Sequence, residues 1–285
     1  MNKVDLHIHT TFSDGSKTPE EIVNMCINKN ITTMAITDHD NIEGSKWLIK
    51  NHPASFKVLS GVELTIKVPK GRFHLLGYNF DLDNQELNSF LEETRQTSIY
   101  NLLVYIEILK KDYHLPITED DIKTIINKPG NIGRPDIAAL LIQKKICKSV
   151  EETFDKYLRP AYEKASKVKK GITPEEGISL IRRAGGTPVL AHPNSLLLGI
   201  KELDSEIKYL SSIGLKGLET IHINETPEQR KLYHSLAEKY HLLESGGTDY
   251  HGDSKPDVEI GTGRNNNISI REGQLTLLKK IKPRY

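Results

Sequence analysis

Short apolar runs that end in polar residues recur along the chain and set its predicted architecture. Their β-branched members and their Gly or Pro flanks predict seven strands, within residues 4–9, 34–37, 58–63, 73–77, 188–192, 218–222 and 242–249. The tetrapeptide Thr-Pro-Glu-Glu occurs at 18–21 and again at 173–176, and this capping box predicts helices to about residues 30 and 184. A further helix is predicted from Pro227 to about Tyr240. Strands that alternate with helices imply parallel pairing and right-handed crossovers.

Residues 84–166 carry a different pattern, which predicts a helical insert that acts as a lid. Leu87, Leu91, Leu102, Ile106 and Leu109 follow one helical face, and no comparable strand signal interrupts them. Without the insert, roughly 205 residues remain, which fits about seven βα units. The predicted fold is α/β, a distorted (βα)₇ barrel formed by residues 1–83 and 167–285, with the helical insert domain between them. A plain open α/β sheet is the alternative.

Composition limits the classes of partner. The 285 residues include 39 Lys and Arg against 38 Asp and Glu, so the formal net charge is +1. Without a basic field, a small anion or a short oligonucleotide is favoured over long nucleic acid. Cys26 and Cys147 lack CxxC spacing and are expected to be reduced packing residues. No apolar signal segment or membrane span is evident, so we expect a cytoplasmic protein with no membrane contact and no obligatory protein partner.

Histidine is the unusual component of the chain. Of eleven histidines, seven lie at or just after an apolar run: His7, His9, His39, His74, His192, His222 and His251. Because side chains alternate along a strand, His7 and His9 point to the same face. The carboxylates Asp14, Glu63 and Asp249 lie in or beside the same runs. Parallel strand ends converge, and imidazole with carboxylate suits Zn²⁺, Mn²⁺ or Fe²⁺. For any one histidine alone, a hydrogen-bonded core position is the alternative.

Six motifs taken together resemble those of the PHP (polymerase and histidinol phosphatase) superfamily, and they cover nearly the whole chain outside the insert. The motifs are Asp5-Leu6-His7-Ile8-His9-Thr10, Ser13-Asp14-Gly15, Ile36-Thr37-Asp38-His39-Asp40, Gly61-Val62-Glu63, Ala191-His192-Pro193 and Gly246-Gly247-Thr248-Asp249-Tyr250-His251-Gly252. The resemblance implies a distorted seven-stranded barrel with a centre of two or three metal ions that hydrolyses phosphate esters.

The resemblance also implies three sets of metal ligands for divalent Mn, Zn or Fe. One ion would be held by His7, His9, Glu63 and Asp249, a second by Glu63, His74 and His192, and a third by Asp14, His39 and His251. With three ions and a bridging hydroxide, such a centre keeps a charge of about +2, which complements a phosphate monoester dianion.

Two more residues are candidates for contact with the substrate. His222 ends the sixth predicted strand and can hydrogen-bond phosphate or protonate the leaving group. Arg134 lies in Gly133-Arg134-Pro135, which resembles a Gly-Arg-Pro motif of phosphoesterase members whose guanidinium binds phosphate in bidentate fashion. The alternatives are a merely structural or exposed histidine and an exposed arginine at a helix start.

These residues predict a metal-dependent phosphoesterase that uses a metal-bridging hydroxide on a small phosphorylated metabolite or nucleotide. The resemblance favours the stand-alone group that includes 3′,5′-nucleoside bisphosphate phosphatases and short-oligonucleotide 5′ exonucleases. A histidinol-phosphate phosphatase is the nearest alternative. A non-catalytic metal-binding regulatory module is the second, although such a module is expected to lack some of the nine ligands.

Overall fold

The computed structural model describes residues 2–165 and 171–285, which divide into two compact units. The first unit comprises Met1–Ser89 and Gly171–Tyr285, and the second comprises Phe90–Lys170. The described strands are β1 (Lys3–Asp5), β2 (Ile31–Ala35), β3 (Lys57–Leu59), β4 (Gly61–Ile66), β5 (Phe73–Tyr78), β6 (Thr187–Leu190), β7 (Gly217–Ile221), β8 (Leu243–Gly246), β9 (Val258–Glu259) and β10 (Gly263–Arg264).

Helices occupy most of the remaining chain. They are α1 (Pro19–Asn28), α2 (Glu43–Asn51), α3 (Gln85–Tyr113), α4 (Glu119–Ile126), α5 (Arg134–Gln143), α6 (Val150–Thr153), α7 (Arg159–Lys164), α8 (Pro174–Arg183), α9 (Ile200–Ser212), α10 (Pro227–Lys239) and α11 (Thr276–Lys280). Within residues 2–165 and 171–285, no helix combines the length and the apolar character that a membrane crossing needs.

The strands of the first unit form two main sheets. β1, β2 and β3 make a parallel sheet in that order, and β4 to β8 make a five-stranded sheet in chain order. The mixed α/β class with parallel strands is therefore confirmed. The closed (βα)₇ barrel is not, because ladder pairing among the described strands stops between β3 and β4 and between β1 and β8. At these two gaps, isolated bridges join His39 to Glu63 and Ile8 to Tyr250.

The expectation of parallel pairing throughout was wrong for β5, which runs antiparallel to both β4 and β6. The connection between β4 and β5 spans residues 67–72, and so short a link closes a hairpin and cannot hold a crossover helix. The run predicted as one strand at 58–63 is also divided. Ser60 separates β3 from β4, and its hydroxyl donates to Phe80 O at 2.7 Å. β3 pairs with β2 in the first sheet, whereas β4 pairs with β5 in the second.

The predicted helix starts at the capping boxes are confirmed. Thr18 and Thr173 each accept a hydrogen bond from the backbone of the glutamate three residues later, and each glutamate bonds back to its threonine. Helix α10 begins at Pro227 as predicted, with Thr226 as its cap. These caps satisfy backbone N–H groups that the first helical turn leaves unpaired. They fix the first residues of α1, α8 and α10, the helices that precede β2, β6 and β8 in the chain.

The second unit is helical and has its own core. The predicted face of Leu102, Ile106 and Leu109 is buried there against Ile137 and Leu141. Among residues 90–165, no strand occurs. The predicted insert end at residue 166 and the predicted start of the second barrel segment at residue 167 lie outside the described residues.

Candidate metal centre

His7 and His9 follow β1 and lie beside the segment after β8. The His9 N–H donates to Tyr250 O at 2.9 Å, which aligns the two segments. Gly247 packs so closely that a Cβ there would lie 2.4 Å from His7 Cβ, so this position requires glycine. Both imidazoles are fully buried, and their ring centroids lie 5.2 Å apart. The two rings therefore lie side by side, as the alternation of side chains along a strand predicts.

Glu63, in β4, is the centre of the arrangement. Its fully buried carboxylate is surrounded by five histidine nitrogens from separate parts of the chain. Oε1 lies within 3.0 Å of His74 Nδ1 and His192 Nε2, and Oε2 lies within 3.2 Å of His7 Nε2, His9 Nε2 and His39 Nδ1. A single carboxylate thus connects most of the predicted ligands.

The ligand atoms form three groups, within each of which every atom lies within 4.8 Å of the others. The groups are His7, His9, Glu63 and Asp249; His9, Asp14, His39 and His251; and His39, Glu63 and His74. The first matches a predicted set, and the second is a predicted set with His9 added. In the third, His39 takes the place predicted for His192. His192 lies outside this group, with its Nε2 at 2.9 Å from Glu63 Oε1.

The hydrogen bonds around the rings indicate that cations fit this centre. The Nδ1–H of His7 donates to Glu219 Oε1 at 2.9 Å, and that of His251 donates to Asp249 O at 2.8 Å. When the rings are neutral, each Nε2 therefore presents its lone pair to a second acceptor, Glu63 Oε2 at 3.2 Å or Asp14 Oδ1 at 3.2 Å. Two facing acceptors repel unless a proton or a metal ion lies between them. Burial lowers the pKa of His7, but Glu219, Glu63 and Asp249 outweigh it and raise that pKa well above its usual range, so a cation is favoured at this position. A divalent ion that binds imidazole and carboxylate can take the place of the proton.

His192 follows the same scheme. The Ser195 hydroxyl donates to Arg72 O at 2.7 Å, so the His192 Nδ1–H at 2.9 Å donates to Ser195 Oγ. Its Nε2 then faces Glu63 Oε1. His192 and Asp249 also hold positive φ angles of 25° and 50°. Such non-glycine conformations cost about 1–3 kcal/mol each and are frequent at functional sites.

Burial and charge together set the ionisation of the centre. Burial raises the pKa of Glu63, but the neighbouring histidines outweigh it and hold that pKa well below its usual range. Burial lowers the pKa of His9, yet Asp249, Glu63 and Asp14 raise it to about 9. At His39 burial prevails and lowers the pKa to about 3. The carboxylates thus stay ionised at neutral pH, as metal ligands must be.

Glu219 was missed by sequence reasoning and supports two of the predicted ligands. It is fully buried in β7, where Oε1 accepts from His7 Nδ1 and Oε2 accepts from the His192 backbone N–H at 2.7 Å. Carboxylates that orient histidine ligands in this way fix the tautomer that binds a metal. The sequence did contain a signal for Glu219, because a charged residue inside the apolar run Gly217–Ile221 needs a polar partner once the run is buried.

The loop that carries Asp14 is held by another buried carboxylate. Asp38 accepts hydrogen bonds from Thr10 N–H at 2.7 Å and from the Ser13 hydroxyl at 2.5 Å. Asp14 itself is half exposed and lies between His251 and His39. Asp38 therefore orients the turn that brings Asp14 to the centre.

His222 is buried at the end of β7, beside Asp249. Its Nε2 lies 3.5 Å from Asp249 Oδ2, and its Nδ1 accepts the Asn224 backbone N–H at 3.3 Å. With Nδ1 as an acceptor, the ring carries a proton on Nε2, which faces Asp249 Oδ2. This tautomer is the opposite of the one that Glu219 and Ser195 impose on His7 and His192.

A cavity of about 480 Å³ opens onto the centre. Seven of the nine predicted ligands line it, as does His222, and the other two, His7 and His9, lie beneath its surface. Sequence reasoning also missed the polar residues around this cavity, which include Arg72, Asn194, Ser195, Asn224 and Lys255. Lys255 Nζ lies 2.6 Å from Asp249 Oδ2. The volume is in the range of pockets that hold drug-sized ligands.

Arg134 lies in the second unit, at the first residue of α5. Its guanidinium carbon stacks 4.4 Å from the ring centroid of Tyr162 and 5.7 Å from that of Phe154. Stacking of this kind fixes the plane of the guanidinium and leaves its edge able to bind an anion.

Known proteins resemble this chain over most of its length. Residues 5–171 match the PHP domain family. The chain is 28% identical over 266 residues to the 5′-3′ exoribonuclease Rnm of Salmonella typhimurium, covering 90% of this chain and 87% of the relative. It is 24% identical over 263 residues to the 3′,5′-nucleoside bisphosphate phosphatase of Chromobacterium violaceum, covering 92% and 91%.

A solved structure from Bifidobacterium adolescentis, which carries the name metal-dependent phosphoesterase, has the same overall fold. It superposes with a TM-score of 0.75 at 27% identity, covering 99% of this chain and 97% of that structure.

Proposed function

The chain belongs to the PHP domain family and is a metal-dependent phosphoesterase, and from this we propose that it hydrolyses a phosphate monoester of a nucleoside bisphosphate or a short oligonucleotide. The observation that carries the proposal is the convergence of three histidine–carboxylate groups around Glu63, next to one open cavity. The names of the two relatives, an exoribonuclease and a nucleoside bisphosphate phosphatase, favour a nucleotide over another phosphorylated metabolite.

We assign the nine predicted residues to metal binding. They are His7, His9, Asp14, His39, Glu63, His74, His192, Asp249 and His251. Two or three divalent ions such as Mn²⁺, Zn²⁺ or Fe²⁺ would there neutralise phosphate charge and lower the pKa of a bound water. The protein contributes the prearranged ligand set, since Glu219 and Ser195 orient His7 and His192 before any substrate arrives.

His222 is proposed to donate a proton to the leaving oxygen or a hydrogen bond to the phosphate. Asn224 keeps the proton of the neutral ring on Nε2, and the ring lines the cavity. An imidazole N–H beside Asp249 at the cavity wall can donate to a phosphate or a leaving oxygen bound at the centre. The opposite tautomer at the neighbouring ligands argues that His222 serves the substrate and not an ion.

Arg134 is proposed to bind a substrate phosphate, and the helical insert to act as a lid. The support is the Gly133-Arg134-Pro135 motif together with the stacked guanidinium, whose fork geometry matches phosphate.

Metal content tests the centre directly. We expect purified protein to contain more than one transition metal ion per chain by elemental analysis, and chelation to abolish phosphatase activity. His9→Ala should lower the metal content, because His9 belongs to two of the three groups. The matched control is His234→Ala, at a half-exposed histidine on α10 that belongs to none of the groups. Unchanged metal content in His9→Ala would contradict the assignment.

A substrate panel with manganese tests the reaction. It should include a nucleoside 3′,5′-bisphosphate, a short 5′-phosphorylated oligonucleotide and histidinol phosphate. We expect kcat/KM to be highest for one of the two nucleotide substrates. Preference for histidinol phosphate would overturn the proposed substrate class while leaving the phosphoesterase reaction in place.

Kinetics of two variants separate the proposed roles of His222 and Arg134. His222→Ala should lower kcat without release of metal, and unchanged kcat would remove its role. Arg134→Ala should mainly raise KM for phosphate substrates. Arg159→Ala, at another exposed arginine of the second unit, is the control for a general loss of positive charge.

A further inference from the structure

Two cations line the cavity, and they differ in what they contact. Lys255 Nζ lies 2.6 Å from Asp249 Oδ2 and is therefore already engaged with the centre. Arg72 is exposed in the link between β4 and β5, and within residues 2–165 and 171–285 its guanidinium has no carboxylate within 4.0 Å. An arginine without an acidic partner at the wall of this cavity is available to bind a phosphate of the proposed substrate.

The backbone of Arg72 is fixed although its side chain is exposed. Its N–H donates to Ser195 O at 2.9 Å, and the Ser195 hydroxyl donates to Arg72 O at 2.7 Å. The preceding Gly71 has a φ of 70°, and a Cβ there would lie 2.5 Å from Leu196 O, so the two loops meet backbone to backbone. Ser195 also accepts from His192 Nδ1 at 2.9 Å. Arg72 is thus held at a set position relative to a predicted metal ligand.

The position of Arg72 sets it apart from the groups proposed to hold the scissile phosphate. Arg72 is absent from all three ligand groups, and its backbone is anchored on residues 195–196. A cavity of about 480 Å³ exceeds the needs of one phosphate and has room for a nucleotide. Guanidinium binds phosphate through two parallel hydrogen bonds, which fits a second phosphate better than a neutral group.

We propose that Arg72 binds the non-scissile phosphate of a doubly phosphorylated nucleotide and thereby selects substrates with two phosphates over simple monoesters. This inference rests on the proposed phosphoesterase function. The subsite consists of the guanidinium, positioned by the contacts of Gly71 and Arg72 with residues 195–196.

The test compares two substrates on the metal-loaded full chain. One is a nucleoside 3′,5′-bisphosphate, and the other is p-nitrophenyl phosphate, which has a single phosphate. Arg72→Ala should raise KM for the bisphosphate about tenfold, the effect of losing a charge-assisted hydrogen bond, and change KM for p-nitrophenyl phosphate by less than about twofold. Arg72→Lys, which keeps the charge but loses the fork, should give an intermediate KM for the bisphosphate.

The matched control is Lys70→Ala, which removes an exposed cation from the same loop at a position that does not line the cavity. Its KM values should equal those of the wild type. Equal increases for both substrates in Arg72→Ala, or the same increase in Lys70→Ala, would overturn the inference. A wild-type protein without activity on either substrate would instead refute the proposed function. Circular dichroism should give one melting temperature for all variants, because the substituted side chains are exposed.

Discussion

Replacement of Glu219 by glutamine is the sharpest test of how the centre is built. Each oxygen of this buried carboxylate accepts one hydrogen bond, from His7 Nδ1–H at 2.9 Å and from the His192 N–H at 2.7 Å. A glutamine side chain has the same shape but only one acceptor oxygen. In either orientation of the amide, its NH₂ group faces another donor. One of the two predicted ligands therefore loses its support.

Both the stability and the metal affinity should respond. A buried donor left without an acceptor costs about 1–3 kcal/mol, so the free energy of unfolding should fall by about that amount. Loss of a residue that orients a metal ligand typically weakens metal binding by about 10- to 100-fold, which corresponds to about 1.4–2.7 kcal/mol. Loss of the hydrogen bond to the His192 N–H would let this backbone, whose φ is 25°, relax away from its position at the centre, which adds to the loss of metal affinity.

The assay is Mn²⁺ binding to chelator-treated protein by calorimetry, combined with urea unfolding of the same metal-free samples. Glu238→Gln, at an exposed carboxylate of α10 outside the centre, serves as the matched control and should match the wild type in both measurements. If Glu219→Gln binds Mn²⁺ with wild-type affinity and unfolds at the wild-type urea concentration, Glu219 does not position His7 or His192.

Three further predictions concern other parts of the centre. Asp14→Ala removes a carboxylate between His251 and His39, so it should lower the metal content by elemental analysis and abolish most of kcat. Full turnover would argue against a third ion. Gly247→Ala should lower the unfolding free energy by a few kcal/mol and weaken Mn²⁺ binding, since its Cβ would lie 2.4 Å from His7 Cβ; unchanged urea unfolding would be inconsistent with this contact. Burial raises the pKa of Glu225 well above its usual value of 4.5. The folded state therefore keeps a proton that the unfolded state releases above about pH 4.5. The free energy of unfolding should fall as the pH rises above that value. Glu225→Gln should therefore be more stable than the wild type at pH 8 and lose that advantage at pH 4, and parallel urea midpoints across this range would be evidence to the contrary.

The parts of the fold that depend on neighbouring residues could be predicted from the sequence. The capping boxes at Thr18 and Thr173 act within four residues, and the helices begin where they indicate. Strand pairing depends on distant hydrogen bonds, and there the prediction was only partly right: parallel pairing holds for β1–β3 and β6–β8 and fails for β5. Nothing local in residues 58–63 marks Ser60 as the boundary between two sheets, although the short link at 67–72 was a sufficient signal for an antiparallel hairpin.

The candidate site divides in the same way. Histidines and carboxylates at strand ends are visible in the sequence because few structural roles need so many of them, and the structure brings them together around Glu63. Their assignment as metal ligands stays a prediction that the metal analysis tests. Glu219 and Arg72 acquire their roles only through contacts with residues more than 25 positions away. No spacing rule could have found Arg72.

The three ligand groups become complete at different times during synthesis of the chain. The group of His39, Glu63 and His74 is complete within the first 74 residues, whereas the other two groups need Asp249 or His251. At about 5–20 residues per second, a ribosome takes roughly 10–35 s to cover that interval. Until then, the other two groups lack at least one member, so an ion bound during translation would meet only the group of His39, Glu63 and His74.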